Sequence, residues 1–208
     1  MKKLKPTTPG QRQRIIADYS TLSRKEPEKS LSFGFKRRNG RAKSGEITVR
    51  HKGGGNKKLY RLIDFKQNKL DIPAKVASLE YDPNRSAFIA LLSYADGDKR
   101  YVIAGKNMKV GDSVITSENA ELVNGNRLPV HKMPTGFFVY NIELQPGKGG
   151  QIARTAGSYA KIMAHDGGRT HLMMPSGEIR IVLSKCLATI GTASNSEHNL
   201  INFGKAGA

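Results

Sequence analysis

Short runs of β-forming residues, separated by turn residues, begin near Leu59. The links between them include Asp82-Pro83-Asn84-Arg85 and Ala95-Asp96-Gly97-Asp98, which both have strong turn chemistry. Five short strands joined by such turns within about 60 residues predict a small β-barrel. The predicted strands are Leu59–Phe65, Ala74–Tyr81, Ala87–Tyr94, Arg100–Ala104 and Ser113–Thr116.

A second set of apolar runs follows Asn124-Gly125-Asn126. In the first run of this set, alternate residues lie on opposite faces, which is the pattern of a half-buried strand. Ser194 to Glu197 has the spacing of a capping box, so a short helix is predicted over His198–Ile201. We predict that the set forms a second small barrel from the strands Phe137–Leu144, Tyr159–Ala164, His171–Met174, Ile179–Leu183 and Leu187–Gly191.

The first 57 residues have a different sequence pattern, because prolines and glycines interrupt any regular hydrophobic period. Of residues 1–60, 15 are hydrophobic, which is too few to offset the entropy of ordering the segment. We therefore predict an extended arm that is disordered when nothing binds it.

The charge is concentrated in the same arm. Residues 1–60 carry 17 Lys and Arg against 4 Asp and Glu, a net charge of +13 out of the chain's +18. Residues 61–124 are balanced at 9 against 9, and residues 125–208 carry 9 against 4. This distribution predicts a folded body with an arm that binds a polyanion.

Composition narrows the choice of polyanion. No apolar run approaches the roughly 20 residues of a membrane span, and the arm lacks an amphipathic apolar stripe. Cys186 is the only cysteine, so no intrachain disulfide can form and a reducing compartment is expected. We therefore expect a nucleic-acid partner, no membrane partner and no homo-oligomer.

The densest basic segment runs from Arg50 to Lys58, where cations flank three glycines. Glycine allows close approach to a nucleic-acid backbone, and Lys and Arg neutralise phosphate charge. A flexible linker with solvated charges is the alternative interpretation. In this part of the chain the predicted nucleic-acid contacts are Arg37, Arg38, Arg41, Arg50, His51, Lys52, Gly53, Gly54, Gly55, Lys57, Lys58 and Arg61.

Two further segments have binding chemistry. Asn84 and Arg85 lie on the rigid turn after Asp82, where a guanidinium could meet a phosphate, or could simply pair with Asp82. The segment from Pro146 to Gly157 has four glycines, two cations and no acid, which fits either a surface that another backbone approaches or a mobile loop. Its predicted contacts are Lys148, Gly149, Gly150 and Arg154.

Enzyme chemistry finds little support. The five histidines are scattered without metal-ligand spacing, and Cys186 fits a small buried hydrophobe better than a nucleophile. His165 and Asp166 could form a base and its orienting group, but hairpin turn chemistry explains them more simply. We expect no enzyme activity, no cofactor and no protein metal site, with magnesium present only in association with RNA.

Four long motifs resemble one family, ribosomal protein L-two of the large subunit, in its bacterial or organellar type. They are RHKGGGNKKLYRLIDFK (50–66), LEYDPNRSAFIALLSYADGDKRYVIA (79–104), LQPGKGGQIARTAGSYAKI (144–162) and GTASNSEHNLINFGKAGA (191–208). The resemblance implies an OB-like barrel followed by an SH3-like barrel, with a basic N-terminal extension. It also implies that Arg85 and Arg154 contact RNA, and it implies no catalytic chemistry. The family's basic C-terminal extension, with its His- and Gly-rich loop, is not found in these 208 residues.

The resulting hypothesis is a structural protein of the large ribosomal subunit. It would be a primary binder of large-subunit rRNA, contact other ribosomal components, and support subunit assembly, subunit association and formation of the peptidyl-transferase region. We expect it in the ribosome of a bacterial cytoplasm or of an organelle. The alternatives are an RNA chaperone or regulator acting off the ribosome and a hydrolase using His165 and Asp166. The predicted domains are residues 1–57 (arm), 58–122 (OB-like barrel), 123–200 (SH3-like barrel) and 201–208 (the start of a further extension).

Overall fold

A computed structural model describes residues 1–34, 38–53 and 55–204. The mainly β class is confirmed, because strands are the dominant regular element and the helical elements of the described residues are three short 3-10 turns. These turns are Lys29–Leu31, Val130–Lys132 and His198–Leu200. The strands are β1 (Lys2–Lys3), β2 (Ile15–Ile16), β3 (Ser32–Gly34), β4 (Leu59–Arg61), β5 (Ala74–Glu80), β6 (Ile89–Tyr94), β7 (Lys99–Ile103), β8 (Ser113–Val114), β9 (Arg127–Pro129), β10 (Phe138–Tyr140), β11 (Ile142–Glu143), β12 (Gly150–Ile152), β13 (Ala160–Asp166), β14 (Arg169–Met173), β15 (Ile179–Leu183) and β16 (Leu187–Ile190).

The first half of the chain is organised around a four-stranded antiparallel sheet in the order β7-β6-β5-β8. A bulge between Val76 and Ser78 bends the long strand β5. One face of the sheet covers a core that includes Val76, Leu92 and Val102, all nearly inaccessible to solvent. Closure of this sheet into a full barrel stays a prediction.

The second half forms a six-stranded antiparallel sheet in the order β15-β14-β13-β10-β16-β9. Its core includes Leu128, Ile162 and Leu172. The turn between β13 and β14 consists of Gly167 and Gly168, with φ of 50° and 77°. Positive φ at both central residues is the requirement of a type I′ turn, which matches the twist of a two-stranded hairpin.

The two sheets are packed against each other. A small apolar cluster joins Ala87 and Ile103 from the first half to Tyr140 and Ala193 from the second. The backbone N–H of Ser194 donates to the carbonyl of Ala104 at 3.0 Å, close to the bridge between Gly105 and Ala193. The junction is therefore continuous in both apolar packing and backbone hydrogen bonding.

Residues 1–34 lie against the body. The Ser23 N–H donates to the Leu79 carbonyl at 2.8 Å, and the Glu28 N–H donates to the Tyr101 hydroxyl at 2.9 Å. Strand β3 pairs with β4 in a separate two-stranded sheet. These contacts were not expected from the sequence. Disorder of the free arm stays a prediction.

Several predicted elements differ from those observed. The predicted strand Phe137–Leu144 is divided, because Asn141 has a φ of 51° and separates β10 from β11. The helix predicted from the capping-box spacing is a three-residue 3-10 turn. The Ser194 hydroxyl accepts the Phe88 N–H at 3.0 Å instead of capping a helix, so it joins the two halves of the chain.

Five strands had no sequence prediction: β1, β2 and β3 in the predicted arm, and β9 and β12 in the second half of the chain. Strand β9 completes one edge of the six-stranded sheet, and β12 lies inside the segment that was predicted to be a loop. Strand β12 pairs with β11 around an irregular register, which leaves a compact turn between them. Among the described residues, no helix has the length and apolar character needed to cross a bilayer.

Candidate nucleic-acid interface

Two arginines predicted to contact RNA come together at one aromatic ring. The guanidinium carbon of Arg85 lies 5.1 Å from the centroid of Phe65, and that of Arg154 lies 4.7 Å from the same centroid. Arg85 belongs to the β5–β6 turn, while Arg154 follows β12 in the second half of the chain. We call Phe65, Arg85 and Arg154 the junction cluster.

The turn that carries Arg85 is held by a buried carboxylate. Asp82 has 1% of its side chain exposed, and one of its oxygens accepts the Asn84 N–H at 2.9 Å. Its other oxygen lies 3.2 Å from Nε of Arg85. Arg61, from β4, approaches the same carboxylate at 3.7 Å. The pairing of Arg85 with Asp82, which was the alternative interpretation of this turn, is therefore present.

That pairing does not remove Arg85 from the surface. About a fifth of its side chain (19%) remains exposed, and its terminal nitrogen lies 3.4 Å from the Tyr60 hydroxyl. The turn is also tied to the basic segment, since Lys58 donates to the Pro83 carbonyl at 3.0 Å and Asn84 donates to the Leu59 carbonyl at 2.9 Å. The guanidinium is thus fixed in orientation rather than mobile.

The turn between β11 and β12 is held from inside by a second buried carboxylate. Glu143 and Arg127 are both fully buried and form an ion pair at 3.3 Å. Glu143 also accepts the backbone N–H groups of Gly147 (3.2 Å), Gly149 (3.0 Å) and Leu187 (3.1 Å). Burial lowers the pKa of Arg127, and the charge of Glu143 opposes that effect. Glu143 therefore determines the shape of the turn that carries Lys148.

The glycines of this turn are covered by the chain itself. Gly149 and Gly150 are both buried, and the Gly150 N–H donates to the Phe65 carbonyl at 2.9 Å. A Cβ on Gly149 would lie 3.1 Å from backbone atoms of Phe65 and Lys66. The sequence indicated a surface that another backbone approaches closely, and that backbone is the chain's own. Their burial does not favour direct RNA contact by Gly149 and Gly150, and that contact stays a prediction.

Lys148 and Arg154 lie on either side of these buried glycines and are exposed. One Arg154 nitrogen donates to the Gly150 carbonyl at 3.3 Å, which holds the guanidinium beside Phe65. Lys66, whose Cγ would lie 3.1 Å from a Cβ on Gly149, is exposed at the same place. The surface around the junction cluster is thus cationic although residues 61–124 are neutral in total.

The residues just before the basic segment of Arg50 to Lys58 form a small loop. Arg41 and Ile47 form a bridge, and an Arg41 nitrogen donates to the Gly45 carbonyl at 2.8 Å. A groove of about 710 Å³ lies beside it, lined in part by Arg41, Arg50 and Lys52. Most of the predicted contact residues between positions 38 and 58 are exposed. They are Arg38, Arg41, Arg50, His51, Lys52, Gly53, Gly55, Lys57 and Lys58. Arg37 and Gly54 lie outside the described residues.

Three residues that shape the interface escaped sequence reasoning. Phe65 was assigned only to a predicted strand, and Arg127 was assigned to no element. Glu143 does carry a signal, because the alternation of Phe137–Leu144 places it on the same face as Val139, which is buried. A charged residue at a core-facing position indicates an internal ion pair, but its partner cannot be identified from spacing alone.

The side chains considered for enzyme chemistry make contacts that a structural role explains. His165 Nε2 lies 2.8 Å from the Met133 carbonyl oxygen, which can only accept, and Nδ1 lies 2.9 Å from the Thr170 hydroxyl. Cys186 is fully buried, and burial raises the pKa of its thiol. Within residues 1–34, 38–53 and 55–204, no group of three or more His, Cys, Asp or Glu side chains could hold a metal ion.

The fold and these sites define a class: a β protein whose two halves jointly display fixed cations at one surface. Comparison with known families is consistent with this class. Residues 28–116 match the family model "Ribosomal Proteins L2, RNA binding N-terminal domain", and residues 123–208 match "Ribosomal Proteins L2, C-terminal domain". The chain therefore belongs to the ribosomal protein L2 family.

A curated relative supports the same conclusion. The chain is 53% identical over 207 residues to the "Large ribosomal subunit protein uL2" of Amoebophilus asiaticus (strain 5a2). The match covers 100% of this chain and 76% of the relative. The first family model begins within the segment that sequence analysis assigned to the arm, and the predicted domain limits themselves stay a prediction.

Proposed function

We propose that this protein is a structural constituent of the large ribosomal subunit and that it binds large-subunit rRNA. The observation that carries the proposal is the convergence of Arg85 and Arg154 on Phe65 at the junction of the two sheets. Membership of the ribosomal protein L2 family supports the ribosomal assignment. The location that follows is the ribosome, in a bacterial cytoplasm or in an organelle.

The binding surface has two parts with different physical roles. The basic segment offers exposed, dispersed cations such as Arg50 and Lys52, which suit neutralisation of many phosphates. The junction cluster offers guanidiniums fixed by Asp82 and by the Gly150 carbonyl, which suit a defined position on folded RNA. Folded RNA is recognised largely through shape and backbone contacts, so both parts are needed.

The finer roles follow from such a surface. A protein that fixes RNA segments on two packed sheets would support assembly of the large subunit and its association with the small subunit. It would also support the RNA structure of the peptidyl-transferase region. In this proposal the protein has no catalytic step and no cofactor of its own, and magnesium belongs to the rRNA.

The test of the dispersed cations is the salt dependence of rRNA binding. Each phosphate contact contributes about 0.7 to 0.9 to the slope of log K against log salt concentration. Replacing Arg50, Lys52, Lys57 and Lys58 by glutamine should therefore lower the slope by about 3. Deleting residues 1–57 is a poorer experiment, because it also removes the backbone bonds of Ser23 and Glu28 to the body.

A matched control variant removes four positive charges from a different part of the protein surface. Lys106, Lys109, Arg169 and Arg180 are exposed cations outside the proposed surface. Their joint replacement by glutamine should change the slope by less than half as much. Equal slopes for the two quadruple variants would contradict the proposed surface.

Cosedimentation tests the ribosomal role itself. Tagged protein should be recovered with large subunits in stoichiometric amount after washing at moderate salt. Recovery in the free pool, with RNA binding intact, would instead place its function away from the ribosome.

A further inference from the structure

The position of Phe65 is set by three separate constraints. Its carbonyl accepts the Gly150 N–H at 2.9 Å, which ties it to β12. The preceding residue, Asp64, accepts the N–H groups of Lys66 (3.0 Å) and Gln67 (2.8 Å) through one carboxylate oxygen. The other oxygen of Asp64 pairs with Arg100 at 2.7 Å. The ring therefore lies at a fixed point between the two halves of the chain.

The ring is already engaged by both guanidiniums. An aromatic side chain on a basic surface commonly serves as a stacking platform for a base. Here Arg85 and Arg154 both lie within cation–π distance of the Phe65 centroid, and the side chain is half-buried. A base that stacked on a ring face held by a guanidinium would have to displace that arginine. The ring is thus better suited to hold the arginines than to hold RNA.

The shared ring also limits the spacing of the two charges. Since the guanidinium carbons lie 5.1 and 4.7 Å from one centroid, they cannot be farther apart than 9.8 Å, the sum of the two distances. Two like charges this close repel each other. Asp82 offsets one of them, and the π system of the ring provides a common partner for both. Within the described residues, the other contact of Arg154 is its hydrogen bond to the Gly150 carbonyl. Without the ring, that bond alone would hold its guanidinium.

We propose that Phe65 is a positioning residue of the RNA-binding site, which holds one guanidinium from each half of the chain so that both act on the same stretch of RNA backbone. The proposal rests on the proposed function, because it assumes that Arg85 and Arg154 bind rRNA. It adds that each half of the chain contributes one arginine to the site. It also adds that the geometry of the site depends on the π face of Phe65 rather than on charge alone.

The experiment measures binding of the full chain to a large-subunit rRNA transcript at fixed salt. Phe65→Leu keeps an apolar side chain but removes the ring, and Phe65→Tyr keeps the ring. Loss of cation–π contacts should weaken binding about three- to tenfold in Phe65→Leu, while Phe65→Tyr should stay within about twofold of the unaltered protein. Thermal melting of each variant reports separately on folding.

A second measurement covers the case in which Phe65→Leu fails to fold. Phenylalanine at position 65 is replaced by its pentafluoro analogue, which keeps the shape of the ring but reverses the charge of its face. Binding should weaken although the melting temperature is retained. Unchanged binding by this folded variant would overturn the proposal.

Arg85→Ala and Arg154→Ala separate this inference from the proposed function. If both weaken binding while Phe65→Leu binds as the unaltered protein does, the positioning role is wrong and the RNA-binding role stands. If neither weakens binding, the proposed function of the junction cluster fails, and the positioning role fails with it. In the supporting outcome, the effects of the two arginine substitutions are non-additive when Phe65 is present and additive in the Phe65→Leu background.

Discussion

Replacing Glu143 by glutamine should be one of the most damaging single-atom changes in this chain. One Glu143 oxygen accepts from Gly149 and from Arg127, and the other accepts from Gly147 and Leu187. A glutamine amide has one oxygen and one NH₂ group, and the NH₂ group can only donate. In either orientation, that NH₂ group faces two of the four donors. The substitution also leaves the guanidinium of Arg127 buried without a counter-charge.

The magnitude follows from the burial of the pair. Both side chains are 0% exposed, so water cannot replace the lost partner. Breaking a buried ion pair by removing one charge costs about 3 to 5 kcal/mol of folding free energy. We expect a loss in this range for Glu143→Gln. Because Glu143 also shapes the turn that carries Lys148, rRNA affinity should fall even where the protein remains folded.

Urea-induced unfolding of the full chain, followed by circular dichroism, measures this loss. Glu178→Gln is the matched control, because Glu178 also pairs with an arginine, Arg180, at 3.1 Å. The control pair has 57% and 49% of its side chains exposed, and such exposed pairs contribute about 0 to 1 kcal/mol. A loss below about 1 kcal/mol for Glu143→Gln, similar to that of the control, would refute the role of Glu143.

Two further predictions concern the junction of the two halves. Gly150→Ala should destabilise the protein by roughly 1 to 3 kcal/mol, because its Cβ would lie 2.7 Å from the Asn141 carbonyl oxygen and closer still to its side-chain amide. Gly53→Ala, whose Cβ would meet nothing within 4 Å, should leave the melting temperature unchanged, and equal effects of the two would contradict the packing described. Ser194→Ala should cost about 1 kcal/mol, since it removes the acceptor of the Phe88 N–H at the junction. An unaltered urea midpoint for this variant would show that the bond contributes nothing.

The sequence predicted the elements whose pattern is local. Strands β5, β6 and β15 fall within predicted runs, and β7 begins one residue before its predicted run, because alternating β-forming residues and turn residues such as Asp96-Gly97 determine them over a few positions. Asn141 was missed as a break because the alternation continues through it, and only its left-handed backbone separates β10 from β11.

The candidate site could be predicted in part. The charges of Arg85, Lys148 and Arg154 were identified from turn chemistry and from the family resemblance, and all three lie near the junction. The role of Gly149 and Gly150 was assigned to RNA, because a glycine that permits close approach does not reveal which backbone approaches it. Phe65 was missed because the two arginines that contact its ring, Arg85 and Arg154, lie 20 and 89 positions away in the sequence. A local sequence pattern does not show contacts between residues so far apart.

Lysine footprinting in the assembled subunit tests the central claim most directly. Purified large subunits and the isolated protein would be treated with an acetylating reagent, and modification of each lysine would be measured by mass spectrometry. We predict that Lys52, Lys57, Lys58 and Lys148, which are exposed in the isolated chain, become strongly protected in the subunit. Equal modification of these four lysines in both samples would contradict the account of how this protein binds rRNA.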